Sequence, residues 1–570
     1  MRSGQITELT LGGFQVFNEP TKIPLGPITL LFGPNSAGKS AIADGLQTLA
    51  KFCGFFSPTA RKLYTSGEEY MASLLERHWR VVNGESLSST VTLGLKLMIQ
   101  RQAWAIGVVE HPHLPHQYFK PAHARFASAL AALDPWLRVI EATELEILVE
   151  LSTSSDRALA IGEPTQGGHR VYMSAALKLG GEHLLNYFSD GRIGVNLAHP
   201  ALGERHHSKG FHRLTSRFPD DCCLSAGWLS FNIGAELWNT GLGSGSLASI
   251  IDMNNPKGSF TEEDHDSCTD FENIFDALWM TTAASVQRII DVEMVQASRT
   301  IPTRTELTYL KSAEGDDIPG SRLGLNTVGC SLYSRLAAGA LRTALQNLDS
   351  DDDIPRRTDR EALEEVNRIL ADHLFREKGY FVSAEVHSIT SFKQGADVQP
   401  VNGPTPQDVP YGYLVTLVLG DTEGRRLAFE EVGSGLGYAL PVLVALATAR
   451  VAFIQQPELH LHPALQAELA DALISAVRTH AGGSTQLLVE THSEHLLLRL
   501  LRRIRQSSST DSDALDPYLI DQDTVVLLYI DPSSDGSSTV KRIRISKDGE
   551  FIDRWPRGFF QERWKELFDE

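Results

Sequence analysis

The sequence predicts an α/β fold: a mixed sheet with flanking helices, joined to an antiparallel β subdomain and a large insertion. Three observations support this prediction. A glycine-rich loop stands between a short apolar strand and a helical segment near the amino terminus. Residues 435–530 alternate between helical and strand-like runs, as expected of a sheet covered by helices. Alternating residues between 88 and 177 indicate an antiparallel meander.

Length and composition limit the function classes. The chain has 570 residues, enough for two or three domains, and its 42% hydrophobic and 22% charged residues exclude a disordered or fibrous protein. The net charge of −19 argues against broad coating of nucleic acid, although it is compatible with a local basic groove. Five scattered cysteines and no signal segment predict a cytoplasmic protein. Arg450 interrupts the longest apolar stretch, Leu436 to Ile454, so no membrane contact is expected.

The amino-terminal half is predicted to be mainly β-structure. Residues 5–32 indicate strands, the last of them the buried strand Ile28–Phe32, and helical spacing follows from Ala41 to Lys51. The meander then occupies residues 88–177, whereas residues 180–270 contain many turn-forming residues and predict loops.

The second half is predicted to be richer in helix. The predicted helices are Phe271–Gln296, Val328–Leu348 and Arg357–Phe375. The predicted strands are Tyr413–Leu419, Leu427–Phe429, Val451–Ile454, Gln486–Val489 and Val525–Ile530. The polar stretch from Gln506 to Asp516 predicts a loop.

The glycine-rich loop at residues 33–40 reads G-P-N-S-A-G-K-S and fits the P-loop pattern G-x-x-x-x-G-K-[ST]. Its glycines allow backbone N–H groups to surround phosphate oxygens, and the following helix adds the positive end of its dipole. Lys39 is expected to reach the β- and γ-phosphates of ATP, and Ser40 to bind Mg²⁺. The nucleotide-binding residues predicted here are Asn35, Ser36, Ala37, Gly38, Lys39 and Ser40.

Three later segments follow the P-loop, and their order along the chain is informative. Residues 431–437 read E-V-G-S-G-L-G, residues 451–463 read V-A-F-I-Q-Q-P-E-L-H-L-H-P, and residues 487–495 read L-L-V-E-T-H-S-E-H. In this order they resemble the signature, the Walker B strand with D-loop, and the switch histidine of ABC-type ATPases. Their wording is most similar to the overcoming-lysogenization-defect (OLD)-like branch of AAA ATPases, which is related to SMC and RecF heads.

The resemblance is strong over residues 1–52 and 411–570. It implies a split ATPase head of residues 1–52 and 411–545, with a β subdomain and helical insertion at 53–410. The tail at 549–560 resembles a small carboxy-terminal extension, which we place at residues 546–570. Residues 298–302, S-R-T-I-P, loosely resemble a P-L-R-x-x-P segment of relatives. Too few residues follow His495 for a Toprim nuclease domain, which many relatives carry.

The resemblance also implies roles for the later segments. Ser434 and Gly435 begin a helix and are expected to contact the γ-phosphate held by the P-loop of a second copy. ATP is then buried between two heads, so dimerisation depends on the nucleotide. His492 is expected to sense the γ-phosphate.

One departure from the ABC pattern concerns the acids at the end of the Walker B strand. ABC-type proteins usually carry one acid for the Mg²⁺ shell and a second to polarise water, and here those positions are Gln455 and Gln456. A glutamine oxygen can hold a metal or a water but cannot act as a base. Glu458 is therefore the candidate base, and the predicted metal residues are Ser40 and Gln455.

Taken together, these features predict an ATP- and Mg²⁺-binding ATPase that hydrolyses slowly and forms a homodimer, with a higher oligomer as a further option. By resemblance, its dimer state is expected to gate a separate effector, a nuclease or toxin, in antiphage defence. Two alternatives are a RecF- or SMC-like repair clamp acting on DNA and a hydrolysis-poor, nucleotide-dependent scaffold.

Overall fold

The computed structural model describes most of the predicted head and part of the region between its two halves. The described residues are 4–55, 81–82, 85–86, 90–100, 142–154, 170–188, 192–196, 199–200, 224–225, 228–232, 292–299, 306–310, 336, 340, 357–389, 412–427, 433–479, 485–508, 516 and 518–556.

The described strands and helices alternate most regularly in the carboxy-terminal part. The strands are β1 (Gly4–Gly12), β2 (Thr21–Pro24), β3 (Ile28–Phe32), β4 (Val81–Val82), β5 (Glu85–Ser86), β6 (Thr90–Gln100), β7 (Ala142–Ser154), β8 (Arg170–Leu179), β9 (Glu182–Phe188), β10 (Arg192–Asn196), β11 (Leu224–Ser225), β12 (Trp228–Asn232), β13 (Val292–Val295), β14 (Glu306–Leu310), β15 (Phe381–Ile389), β16 (Gly412–Gly420), β17 (Arg426–Leu427), β18 (Val451–Gln455), β19 (Gln486–Glu490), β20 (Val525–Pro532) and β21 (Ser538–Ile543). The α-helices are α1 (Lys39–Phe55), α2 (Arg357–Asp372), α3 (Ser434–Thr448), α4 (Pro463–Thr479) and α5 (Glu494–Ser508), and short 3₁₀ turns lie at Arg376–Lys378 and Gln522–Thr524.

A six-stranded sheet forms the centre of the head, in the order β13-β18-β19-β3-β20-β21. The first five strands are parallel and β21 is antiparallel, so the sheet is mixed, as predicted. All five residues of β3 are buried, as expected for a parallel strand covered on both faces. Apolar residues of α2, α3, α4 and α5 join those of this sheet in one hydrophobic core.

A second, nine-stranded antiparallel sheet has the order β11-β12-β10-β9-β8-β7-β6-β1-β2. It contains the predicted meander, and it joins the amino-terminal strands to the middle of the chain because β1 pairs with β6. Gln486 at the start of β19 ties the two sheets together. Its side-chain amide accepts from the N–H of Ile6 at 3.0 Å and donates to the carbonyls of Ile6 and Gly26 at 2.7 and 2.9 Å.

The remaining strands form smaller sheets. A four-stranded antiparallel sheet has the order β14-β16-β15 with β17 beside β16, and β4 pairs with β5. Within the described ranges, no helix is long and apolar enough to cross a membrane.

The carboxy-terminal tail packs against the strand that precedes the P-loop. The indole of Trp555 meets the rings of Phe32 and Phe551 edge-on, with centroids 5.3 Å apart in both pairs. Gly549 lies so close to α5 that a Cβ there would come within 2.3 Å of the carbonyl oxygen of Leu501. The tail is thus attached to the head next to the P-loop.

Two element predictions were wrong. Residues 180–270 were expected to be loops, yet β9 to β12 lie there and extend the antiparallel sheet. The helix predicted at Phe271–Gln296 is wrong at its end, because Val292–Val295 is strand β13. Its backbone pairs with β18, so a neighbouring strand distant in sequence outweighed the local helical spacing.

Other predictions differ at their boundaries. Helix α1 is longer than predicted at both ends and α2 ends at Asp372. Helix α5 continues to Ser508, so the first three residues of the loop predicted from Gln506 are helical. Only positions 336 and 340 of the helix predicted at Val328–Leu348 are described, and both are helical. Residues 101–141 of the predicted meander, residues 271–291 of the predicted helix and residues 557–570 of the predicted tail lie outside the described residues. The division into residues 1–52, 53–410, 411–545 and 546–570 stays a prediction.

Candidate functional site

Three predicted site segments lie at one edge of the central sheet. They follow β3, β18 and β19, which are parallel neighbours. Glu490 at the end of β19 lies level with Gln455 on one side and with Leu31 on the other. Because the carboxyl ends of parallel strands meet at one edge, the P-loop, the glutamines and the switch segment come together there.

The P-loop turns sharply at two glycines. Gly33 and Gly38 have φ angles of +142° and +93°, which L-residues rarely adopt. A Cβ at Gly33 would lie 2.5 Å from the carbonyl oxygen of Ile530, and one at Gly38 would lie 2.3 Å from Cγ2 of Val16. Neighbouring elements therefore enforce the loop's shape from both sides.

The Lys39 side chain is enclosed by the loop it belongs to. Only 4% exposed, it donates to the carbonyls of Gly33 and Pro34 at 2.9 and 2.8 Å and lies 3.6 Å from a carboxylate oxygen of Glu490. Burial lowers the pKa of Lys39, and the charge of Glu490 partly opposes that effect. The ammonium group is therefore positioned at the loop, where it could exchange carbonyl contacts for phosphate oxygens.

The remaining P-loop residues fall into an exposed group and a buried residue that anchors the loop. Asn35, Ser36 and Ser40 are exposed, with Ser40 in the first turn of α1. Ala37 is buried, and its carbonyl accepts from the hydroxyl of Ser538 at 2.8 Å. The start of β21 thus supports the loop from behind, while its outer face stays open.

The two glutamines after β18 have different roles in the fold. The oxygen of the Gln455 side chain accepts from the N–H of Ala297 at 3.3 Å, and its amide nitrogen donates to Glu490 at 3.3 Å. Gln456 lies in the left-handed region with a φ of +43°, and its N–H donates to the carbonyl of Glu490 at 2.7 Å. Both glutamines therefore connect β18 to the end of β19.

Arg299 holds the same turn from the side of β13. Its guanidinium donates to the carbonyls of Gln455 and Gln456 at 2.8 and 2.9 Å and lies 5.9 Å from the ring centroid of Tyr438 on α3. Burial lowers the pKa of Arg299 to about 10, opposed by the charge of Glu458. Arg299 thus links the end of β18 to the helix that begins at Ser434.

Glu458 contacts the switch segment. Its carboxylate accepts from the hydroxyl of Thr491 and from the N–H of His492, both at 2.9 Å. A carboxylate has about four acceptor positions, so Glu458 keeps capacity for a water. Among the described residues, the Glu458 carboxylate accepts no hydrogen bond from helix α4, which begins at Pro463, and it is held by the switch segment instead.

His492 is exposed at the open edge of the site. Partial burial and the charge of Lys39 lower its pKa, whereas Glu458 and Glu490 oppose that shift. The imidazole is therefore neutral near pH 7. Its location beside Lys39 and Glu458 is compatible with the predicted contact to a γ-phosphate.

The predicted signature segment lies at the start of α3. Gly433 and Ser434 are exposed, and no side chain caps the helix, which also lacks an acidic residue in its first turn. Gly435 packs so closely that a Cβ would lie 3.1 Å from the carbonyl oxygen of His460, whose ring is 4.4 Å from that of Tyr438. The helix start is thus fixed against the loop after β18.

Sequence reasoning missed two residues of this site. Glu490 was part of the quoted switch segment but received no role, and Arg299 belongs to the weakly matching segment at 298–302. The signal for Glu490 was its place as the last residue of a strand beside the P-loop strand. Arg299 had no comparable signal, because β13 had been predicted as helix.

The residues present fit a nucleotide phosphate with Mg²⁺. The glycine-dependent loop, Lys39 and the exposed hydroxyl of Ser40 suit phosphate and metal, and Glu490 adds a carboxylate. No group of three or more His, Cys, Asp or Glu side chains suited to a metal occurs among the described residues. That is compatible with Mg²⁺, which takes one or two protein ligands besides phosphates and waters.

Comparison with protein families supports this picture. Residues 332–499 match a family model described as "AAA domain, putative AbiEii toxin, Type IV TA system". The matched part contains Ser434, Gln455, Glu458 and His492 but not the P-loop. The mixed central sheet with its flanking helices confirms the predicted α/β fold class, and the match shows that residues 332–499 are similar to an AAA domain. No curated protein matches the chain in sequence.

Several solved structures resemble the chain at 10% sequence identity. An SMC head bound to the C-terminal winged-helix domain of ScpA has a TM-score of 0.37, with 95% of this chain and 98% of that chain covered. The SMC head domain from Thermotoga maritima has a TM-score of 0.33 and coverages of 95% and 100%. An SMC head from Pyrococcus furiosus with an extended coiled coil, bound to the C-terminal domain of ScpA, has a TM-score of 0.33 and coverages of 99% and 99%.

Proposed function

We propose that this protein is an ATP-dependent molecular switch. One copy binds ATP and Mg²⁺ at its P-loop, and a second copy closes on the γ-phosphate with its signature helix. Slow hydrolysis reopens the pair. The closed and open states control a separate effector protein, a nuclease or toxin, in bacterial antiphage defence in the cytoplasm.

The observation that carries this proposal is the meeting of Lys39, Gln455, Glu458 and His492 at one sheet edge. Glu490 contacts both Lys39 and Gln455, Glu458 accepts from the N–H of His492, and the charge of Lys39 acts on His492. Phosphate binding falls to the P-loop backbone and Lys39. Bound Mg²⁺ would neutralise phosphate charge, and the residues that would hold it are Ser40 and those at the strand ends around Gln455.

Hydrolysis requires a group that orients or deprotonates the attacking water. Gln456 can orient a water but cannot accept a proton, so Glu458 takes the role of base. Its hydrogen bonds to Thr491 and His492 connect this base to the switch segment. A change at His492 on γ-phosphate loss would therefore reach Glu458 directly.

The defence role is supported less directly. The matched family's description names a toxin of a toxin–antitoxin system, which suits a protein that acts with a harmful effector. The net charge of −19 favours a protein partner over direct binding to DNA. Direct DNA clamping would instead show as salt-dependent DNA binding by the purified protein.

The decisive experiment measures ATP binding by calorimetry in the Lys39→Ala variant. We expect loss of measurable affinity because the only enclosed ammonium group of the P-loop is removed. The control is Lys22→Ala, since Lys22 is an exposed lysine on β2. Undiminished ATP binding by Lys39→Ala would refute nucleotide binding at this loop.

A second experiment tests hydrolysis with Glu458→Gln. We expect ATP binding to persist while steady-state turnover falls by about 10²- to 10⁴-fold, the usual contribution of a general base. Turnover equal to that of the wild type would refute the role of Glu458.

A further inference from the structure

Glu490 ends strand β19, the neighbour of the strand that precedes the P-loop. It lies level with Gln455, the position at which β18 lacks an acid. Gln455 and Glu490 are the last residues of β18 and β19 and are paired in register. Strand β19 lies between β18 and β3, so Glu490 is one strand closer to the P-loop than Gln455. Neighbouring strands are about 4.8 Å apart, within the reach of one side chain.

The Glu490 carboxylate points toward the phosphate-binding residues. One oxygen lies 3.6 Å from Nζ of Lys39, the residue before the proposed metal ligand Ser40. The other oxygen accepts from the Gln455 amide at 3.3 Å. The Glu490 side chain is 14% exposed, so the carboxylate is enclosed yet open on one side.

The hydrogen bonds of Gln455 define its part in this arrangement. Its oxygen accepts from the N–H of Ala297, which leaves the amide nitrogen directed at Glu490. This is how a residue outside the metal shell orients a ligating carboxylate. A second acid at position 455 would place two carboxylates in contact, and one of them would tend to take up a proton.

We propose that Glu490 supplies the carboxylate of the Mg²⁺ shell in this protein and that Gln455 orients it. The inference rests on the proposed ATP binding and names the residue that completes its metal site. It also changes the expectation for position 455, because an acid introduced there competes with Glu490 instead of restoring a missing ligand.

The test uses Mn²⁺ in place of Mg²⁺, because bound Mn²⁺ is detected by electron paramagnetic resonance without any turnover. Mn²⁺ affinity is measured with saturating ATP on the full chain for the wild type, Glu490→Gln and Gln455→Glu. The matched control is Glu385→Gln, the same change on β15, where Glu385 pairs with Arg426. ATP affinity in EDTA is measured in parallel with a fluorescent analogue.

We expect Glu490→Gln to lower the Mn²⁺ affinity at least about tenfold, the lower end of the losses in metal affinity seen when residues around a bound metal are mutated. Metal-free ATP affinity should stay equal or rise, since a negative charge beside the phosphates is removed. Gln455→Glu should not raise the Mn²⁺ affinity, and the Mn²⁺ affinity of Glu385→Gln should equal that of the wild type. A purely structural Lys39–Glu490 ion pair would instead lower the melting temperature of Glu490→Gln without changing its Mn²⁺ affinity.

The proposal is overturned if the Mn²⁺ affinity of Glu490→Gln is within twofold of the wild-type value, or if Gln455→Glu raises the Mn²⁺ affinity. If Glu490→Gln does not fold, the double variant Gln455→Glu/Glu490→Gln moves the acid back by one strand and decides the question. A lower Mn²⁺ affinity of this variant supports the proposal, and an unchanged or higher Mn²⁺ affinity overturns it. Failure of the wild type to bind ATP in EDTA would refute the proposed function itself, which is a separate outcome.

Discussion

The phosphate side and the signature side of the proposed site differ in how completely one chain builds them. On the phosphate side, Lys39, Gln455, Glu458 and Glu490 are held by hydrogen bonds and an ion pair within the chain. On the signature side, α3 begins at exposed Ser434 without a side-chain cap. The first N–H groups of a helix need partners, and anions are favoured there.

The difference is that one chain supplies the contacts of the phosphate side. The signature side offers backbone donors that, under the proposed function, a second copy's nucleotide would satisfy. Arg299 connects them, because it bonds the turn after β18 and lies beside Tyr438 of α3. Four variants test this contrast, beginning with the largest expected effect.

Arg299→Ala should disrupt both sides together. Two hydrogen bonds from the buried Arg299 guanidinium to carbonyl oxygens are lost. Hydrogen bonds to charged groups contribute about 1.5–3 kcal/mol each, so we expect the free energy of unfolding to fall by about 3 kcal/mol. Chemical denaturation measures the change. Arg376→Ala, which removes an exposed arginine with a 3.9 Å ion pair, is the control and should match the wild type. Equal stability of both variants would show that Arg299 does not link the two sides.

Gly38→Ala should damage the phosphate side alone. Its Cβ would meet Val16 at 2.3 Å, and backbone strain of about 1–3 kcal/mol corresponds to a loss of about 5- to 140-fold in ATP affinity. Gly181→Ala is a sharp control, because Gly181 has a φ of +84° but no atom within 4 Å of an added Cβ. ATP affinity unchanged in both variants would contradict the loop geometry described above.

Ser434→Arg should damage the signature side alone. A bulky cation at the exposed helix start should leave ATP binding intact and weaken ATP-dependent association of two heads by about tenfold or more. Crosslinking across the heads measures closure, and the equally exposed Thr422→Arg serves as control. Closure that persists in Ser434→Arg would refute the two-headed arrangement.

The smallest effect concerns the support of the signature helix in acid. His373 is 3% exposed and meets the ring of Tyr518 edge-on, and burial lowers its pKa. Asp471 and Asp372 oppose this shift, whereas Arg368 and Arg376 reinforce it. The unfolded chain therefore binds the proton more readily, and stability should fall as the pH drops below about 6.5.

His373→Phe should reduce that acid sensitivity, which melting temperatures at pH 7 and pH 5 will show. Some sensitivity will persist, because the pKa values of His199 and His492 are also lowered. An identical pH dependence in the variant and the wild type would show that folding does not lower the pKa of His373.

The part of the fold that local patterns encode was predictable. The buried strand before the P-loop, the strands at Val451, Gln486 and Val525, and the meander all agree with the structure, since each has a clear apolar period. Strand β13 could not be predicted, because the strand that it pairs with among the described residues is a parallel partner more than 150 residues away. The predicted roles of the site residues stay predictions.

The site shows the same limit at the level of single side chains. The P-loop motif specifies Lys39 and Ser40 by spacing alone. Glu490 became visible only when register placed it between Gln455 and Leu31. A site residue whose role depends on contacts between neighbouring strands cannot be identified from a local sequence motif.

The position of β3 in the central sheet also has a consequence for biosynthesis. This wholly buried strand lies between β19 and β20, which emerge near the end of translation. The side chain of Gln486 bonds the backbone of Ile6 across 480 residues of sequence. At about 5–20 residues per second, the ribosome needs on the order of a minute to bridge that interval. During this time a strand edge rich in Ile, Leu and Phe lacks its native neighbours, and we expect nascent chains of this protein to depend on chaperones that cover such a segment.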